Sequence, residues 1–200
     1  VDFQNELERL KEEIKKLKKE NERLEEENKN LRQMIQVDFL TGLYNKYMVG
    51  KRLEEVLAFV TRGRNEEPVS LLFLDLDYFK TINDSFGHEA GDRVLKEMGK
   101  ILNQEKRQYD IVGRWGGEEF IVILPRTNLE MAKGVAERIK KRIASLEFHF
   151  QTKSNPVKIT VSIGVAQWKL GEKVFEFIRR ADLAMYKAKR LGRNRVEIAE

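Results

Sequence analysis

Val69–Asp77 reads Val-Ser-Leu-Leu-Phe-Leu-Asp-Leu-Asp, an apolar run that ends in two acids. A run without polar alternation is the pattern of a strand buried on both faces. It demands covering layers on either side, and the rest of the chain has to provide them. Asp75 and Asp77 lie at the C-terminal end of the run, where open sheets place their ligands. Spaced by two, they project to one face of the strand. A carboxylate there is costly unless charge compensates it. A hard cation with oxygen ligands is the obvious compensation, and the Leu76 carbonyl is a neighbouring donor. The competing role is a cap on the turn at Tyr78–Phe79, which weighs more for Asp77 than for Asp75.

Outward from this strand, helical and strand patterns alternate. Lys46 to Arg62 reads as a helix ended by Gly63 and a polar loop to Pro68. Thr81–Glu89 reads as a turn-rich link, followed by a helix over Ala90–Leu102. Ile111–Trp115 and Phe120–Leu124 flank Gly116-Gly117, the pattern of a β-hairpin whose glycines permit a positive φ and close approach of a ligand. Asn128 caps a helix running to about Leu146, with Glu130 in its first turn. Val157–Ala166 reads as a strand, Val174–Leu191 as a helix and Arg195–Ile198 as a short final strand. The expected fold class is α+β, with helices packed on a mixed sheet.

The second acidic constellation is Arg114-Trp115-Gly116-Gly117-Glu118-Glu119-Phe120. Like carboxylates side by side at a tight turn repel each other, and that repulsion calls for a cation. The only histidines are His88 and His149 and there is no cysteine, so zinc, thiolate and disulfide chemistry are excluded as expectations. No GxxxxGK[ST] loop is present, which argues against a P-loop nucleotidase. Carboxylates with a divalent metal, and Lys80, Lys189 and Arg193 as anion partners, suit phosphoryl or nucleotidyl transfer.

The charge is unevenly distributed. Of 200 residues 36% are charged, against roughly 25% in ordinary soluble domains, and the net charge is +5 with a pI near 9.3. Residues 1–36 hold 9 basic and 10 acidic side chains; the remainder carries a surplus of +6. In that first segment Leu10, Leu17, Leu24 and Leu31 fall at heptad position d. Leu7, Ile14, Asn21, Asn28 and Ile35 fall at a. Leucine at d with Asn at a favours two parallel strands. In a parallel pair Glu6 meets Lys11, Glu13 meets Lys18 and Glu27 meets Arg32, with only Glu20 against Glu25 repelling. An antiparallel pair would set position g against g, where Glu6, Glu13, Glu20 and Glu27 are all glutamates. The expectation is a parallel homodimer through a coiled coil over 1–36, preceding a second domain over 37–200. A leucine-zipper DNA binder needs a basic region before the zipper, and only six residues precede Leu7, so no nucleic-acid polymer is expected. No apolar run reaches 18 residues and the N-terminus lacks the apolar core of a signal peptide. No membrane association and a soluble, cytoplasmic chain are expected. It opens on Val1 rather than Met, as a fragment or processed form would.

Four stretches together carry a specific resemblance. They are Asp38–Asn45 (DFLTGLYN), Asp75–Asp92 (DLDYFKTINDSFGHEAGD), RWGGEEF at 114–120, and Ala181–Asn194 (ADLAMYKAKRLGRN). In this order and spacing the chain resembles the GGDEF-type diguanylate cyclases over about residues 37–200, with a GGEEF signature and with Lys46 where the family often has Arg. The resemblance implies a palm-like sheet of the adenylyl-cyclase, ferredoxin-like kind. It also implies condensation of two GTP into cyclic di-GMP and two pyrophosphates. Asp75, the Leu76 carbonyl and Glu118 would hold Mg²⁺ or Mn²⁺, two ions per active site. Glu118 or Glu119 would assist deprotonation of the ribose 3′-hydroxyl, the sequence leaving open which. Gly116 and Gly117 would let the substrate lie against the hairpin, Asn83 and Asp92 would pair with the guanine edge, and Lys80, Lys189 and Arg193 would neutralise phosphate with His88 nearby. Arg107-Gln108-Tyr109-Asp110 occupies the family position of an RxxD site for inhibition by the product, with Arg138 as a second contact. An ordinary surface ion pair is the competing reading there, as a helix-start contact is for His88. The competing function is a domain that has lost catalysis and senses GTP or cyclic di-GMP. The presence of Asp75, Glu118 and Glu119 weighs against it.

Overall fold

The computed structural model describes residues 2–34, 36–62, 67–150 and 155–199, without the side chains of 2, 3, 29, 30 and 32–34. Ile35, Gly63 and the Arg32 side chain, used in the readings above, lie outside the described residues. The chain forms two compact units, Val1–Gln36 and Val37–Glu200.

The first unit is one helix, α1 (Asp2–Met34). At 1.5 Å per residue it is about 50 Å long. Leu7, Leu10, Ile14, Leu17, Leu24 and Leu31 are 42–62% exposed along it, a stripe that this helix cannot bury by itself. Glu20, which repels Glu25 in the parallel pairing, accepts from Arg23 of its own helix at 2.7 Å.

The second unit contains α2 (Lys46–Arg62), β1 (Val69–Leu76), α3 (Phe79–Phe86), α4 (His88–Glu105), β2 (Ile111–Arg114), β3 (Glu119–Pro125), α5 (Leu129–Ala144), β4 (Val161–Gln167), α6 (Val174–Arg190) and β5 (Val196–Ile198). The sheet runs β2-β3-β1-β4-β5, with β1 antiparallel to both neighbours and β5 parallel to β4, so it is mixed. All of β1 is buried. Leu72, Leu74 and Leu76 pack with Val94, Leu95 and Met98 of α4 and Val135 and Ile139 of α5. Leu71 and Phe73 pack with Leu53 and Leu57 of α2 and Phe177 and Met185 of α6. Side chains alternate along a strand, so Asp75 shares the face of Leu71 and Phe73, the face covered by α6. Among the described residues no helix is long and apolar enough to cross a membrane.

Two segments differ from the sequence expectation. Thr81–Glu89 is not a link: α3 fills most of it and α4 begins at His88. The polar residues Thr81, Asn83, Asp84 and Ser85 imitate a turn. Phe79 and Ile82 are nevertheless buried and Phe86 packs against the same core, a helical spacing of three and four. Gly87, at φ 82°, separates the two helices. Val157–Thr160 is not part of β4; Val157 instead forms an isolated bridge with Phe148.

Gly164 sets the distance between β4 and α6. A Cβ there would run into the Ala181 carbonyl oxygen and the Met185 amide, which are backbone and cannot swing aside. Gly164→Ala is therefore expected to destabilise the domain by about 1–3 kcal/mol, read as a lower denaturant midpoint. An unchanged midpoint would mean that α6 has slack against the sheet.

Candidate active site at the end of the central strand

Asp75 stands directly opposite Glu119 on β3 and Ser162 on β4, so two carboxylates share a rung of the sheet. Like charges in that position repel. Glu118 precedes β3, and its carbonyl accepts from the Leu76 amide at 3.2 Å, tying the signature turn to the end of β1. Lys189, in the last turn of α6, brings its ammonium to 2.7 Å from Asp75 Oδ1. That oxygen is buried and receives no hydrogen bond of acceptable geometry, so the contact is an ion pair and not a satisfied acceptor. Burial, with the charges of Asp77 and Asp182, pushes the Asp75 carboxyl above the ordinary range in spite of Lys189. Burial and the Asp75 charge push Glu118 and Glu119 in the same direction. Burial also raises Asp182, against the pull of Lys189. Four carboxylates thus share the charge of one ammonium, which pairs directly with Asp75.

The hairpin glycines act differently from expectation. Neither Gly116 nor Gly117 has a φ in the left-handed region. The turn is held instead by Trp115 and Gly116 amides donating to the Glu119 carbonyl, and by Arg114, whose guanidinium donates to the Gly116 and Gly117 carbonyls. A Cβ at Gly116 would meet the Glu119 carboxylate, so glycine there lets that side chain keep its place over the turn. Gly117 faces open space.

Asp77 has a structural role. It accepts from Thr160 and Ser162 hydroxyls at 2.7 Å and from the Asn194 amide at 3.0 Å. The third bond fixes the turn carrying Arg193, whose guanidinium lies over the Tyr78 ring, 4.5 Å from its centroid. Tyr78 itself is left-handed at φ 57°, which turns the chain straight from β1 towards α3. Lys80 is exposed in the first turn of α3. The Asn83 side chain lies against α4 where Gly91 has no Cβ, one residue from the exposed Asp92. His88 is exposed at the start of α4.

Arg107 and Asp110 lie away from this cluster. The Arg107 amide donates to Asp110 Oδ2 at 2.7 Å, closing a tight loop on itself. Both residues line a groove of about 660 Å³ with Phe59, Tyr109, Arg52 and Glu55. Arg138 does not line that groove; it is paired with Glu105 at 2.6 Å.

Several neighbours were missed in the sequence. Asp182, seven residues before Lys189, could have been found from that spacing, which returns to one helix face. Arg114 pairs with Asp38 across 76 residues, and no local signal reports it. Burial opposes ionisation of Asp38, but the Thr41 hydroxyl and amide and the Arg114 guanidinium outweigh it, holding the carboxyl below its usual range. Lys46 sits 4.6 Å from the Trp115 ring centroid, and its charge favours ionised Glu119.

The donor set suits Mg²⁺. The Asp75 oxygen without an aligned donor and the strained charge of Glu118 are both relieved by a cation. Among the described residues no three acidic or histidine side chains form a ready-made cage. Mg²⁺ needs none, since it usually binds through one or two carboxylates with substrate phosphates and water.

A buried carboxylate strand end facing a signature hairpin, on a mixed five-stranded sheet, defines the class. The family model for "Diguanylate cyclase, GGDEF domain" matches residues 35–195, and the chain belongs to that family. It is 46% identical over 171 residues to diguanylate cyclase DgcP of Pseudomonas aeruginosa, covering 84% of this chain and 24% of that protein. It is 38% identical over 172 residues to diguanylate cyclase A of Treponema denticola, covering 85% of this chain and 46% of that one. The chain thus spans less than half the length of these curated relatives. Among solved structures it is similar to the coiled coil and GGDEF domain of DgcB from Caulobacter crescentus in complex with c-di-GMP. That match has a TM-score of 0.79 and 31% identity, covering 95% of this chain and 99% of the other.

Proposed function

We propose that this chain is a diguanylate cyclase that condenses two GTP into cyclic di-GMP and two pyrophosphates. The observation that carries the reading is the meeting of Asp75, Glu118, Glu119 and Lys189 at the end of β1, beside a turn that keeps Gly117 open. A divalent cation held by Asp75, the Leu76 carbonyl and Glu118, Mg²⁺ or Mn²⁺ and two per site by family resemblance, would supply Lewis-acid polarisation of the phosphates. Lys80, Lys189 and Arg193 bind the triphosphate, and His88 lies close to it. Asn83 and Asp92 take the guanine edge, where a carboxylate accepts the N1–H and N2–H donors. Glu118 being engaged, Glu119 receives the 3′-hydroxyl proton; its raised affinity for protons makes it a better base than an ordinary carboxylate. The 3′-oxygen of one GTP then attacks the α-phosphorus of the other, and the bond to pyrophosphate breaks. The step occurs twice.

One domain binds one GTP, so two must face each other. The exposed stripe of α1 supports a parallel homodimer that supplies the second domain. The need for GTP places the reaction in the cytoplasm. The assay is incubation with GTP and Mg²⁺ and identification of the product by mass. Bound nucleotide without cyclic di-GMP would favour the sensor reading.

Cyclic di-GMP would also inhibit, in the groove beside Arg107 and Asp110. Arg138 joins that site only by leaving Glu105. Arg107→Ala is expected to abolish inhibition by added cyclic di-GMP and to preserve the initial rate. Undiminished inhibition would remove the site.

A further inference from the structure

Two roles converge on the Lys189 ammonium. In the proposed reaction it binds phosphate, yet here it lies 2.7 Å from Oδ1 of Asp75, the carboxylate that would hold the metal. The two side chains are 25% and 5% exposed, so solvent does not readily replace either partner. An ammonium at this distance fills the space at that oxygen and supplies half the charge that a divalent cation bound at about 2.0–2.1 Å would supply. Both cannot occupy it. If a divalent ion arrived alone, Lys189 would be expelled beside a like charge of twice its size. Glu118, Glu119 and Asp182 feel the Lys189 charge, but the incoming ion competes for them as well. A triphosphate is the anion that can arrive with the ion and receive the displaced ammonium. Nor can the helix simply carry Lys189 away, because α6 is seated backbone-to-backbone on β4 at Gly164. The exchange has to occur by side-chain rotation.

We propose that Lys189 is a resident cation that holds Asp75 in the nucleotide-free protein and yields it to a divalent metal only when a nucleoside triphosphate is present to receive the ammonium. The inference rests on the nucleotide reading of the site given above. Its consequence is that metal alone binds weakly and that metal and nucleotide raise each other's affinity reciprocally.

The test uses Mn²⁺ alone, with free ion counted by electron paramagnetic resonance and no nucleotide present. Lys189→Met is expected to bind Mn²⁺ at least about tenfold more tightly than the unmodified chain. Lys189→Arg keeps the weak affinity, and adding Asp75→Asn to Lys189→Met removes the gain. Equal or weaker Mn²⁺ binding by Lys189→Met overturns the proposal. A second measurement needs no variant other than for assignment: the ¹⁵Nζ resonance of Lys189. Its ion-paired signature is expected to survive Mg²⁺ alone and to vanish with Mg²⁺ plus a non-hydrolysable GTP analogue. Loss with Mg²⁺ alone overturns the proposal. Failure of the analogue to bind in equilibrium dialysis removes the nucleotide reading and the exchange with it, while the Mn²⁺ comparison still reports on the ion pair itself.

Discussion

Glu118→Gln is expected to lower cyclic di-GMP formation by about 10³-fold or more and, at neutral pH, to raise the melting temperature. The two effects have one origin. Glu118 is half-buried, and burial, Asp75 and Glu119 together raise its proton affinity in the folded state. A carboxyl raised in this way contributes stability below its unfolded value, near 4.5, and loses that contribution as pH rises through the higher folded value. At neutral pH the ionised group is therefore a net cost to the fold. The amide removes the cost and keeps the shape. The melting-temperature gain should shrink as pH falls towards the unfolded value, where the glutamate is protonated as well. A variant that loses activity and is also less stable at pH 7 would show that Glu118 supports the fold, which contradicts the charge crowding described here. Retained turnover would remove Glu118 from the catalytic set.

Deleting residues 1–36 is the second large effect. Tethering two catalytic domains makes their encounter effectively intramolecular, at roughly millimolar effective concentration, and such linkage is worth about 10²–10⁴-fold. Turnover per chain at nanomolar protein is expected to fall by that range, and the deficit should close as the truncated chain is concentrated. The heptad leucines exposed along α1 motivate the prediction, since they have no reason to be apolar in a solitary helix. Equal turnover of the two forms at nanomolar protein would end the requirement for the coiled coil.

Much of the domain is legible in local sequence. β1 is, because eight consecutive buried residues leave no alternation to misread. α5 is, because Asn128 both marks and makes its N-cap, accepting from the Met131 amide at 2.9 Å. α3 is not. Its polar residues have turn chemistry, and only the burial of Phe79 and Ile82 makes the segment helical. The hairpin was placed correctly for an incomplete reason. Neither glycine has left-handed backbone; Gly116 makes way for the Glu119 side chain, while Gly117 faces open space.

The site divides in the same way. Residue types and spacing alone point to Asp75, Asp77, Glu118 and Glu119, because carboxylates at a buried strand end and at a tight turn have few other uses, and they offer Lys80, Lys189 and Arg193 as anion partners. Sequence leans towards Asp75 over Asp77 as the metal ligand but shows no contact that separates two acids of one strand pattern. The tertiary structure separates them: Thr160, Ser162 and Asn194 satisfy Asp77, whereas Asp75 keeps an oxygen with only an ammonium beside it. By itself, then, the sequence determined the strand, the zipper pattern and the inventory of charges, all properties of neighbouring residues. Which charge meets which was decided by the packing of α6 on β4 at Gly164 and by Arg114 reaching Asp38. Those contacts join residues distant in the chain, and no local pattern encodes the close approach that creates them.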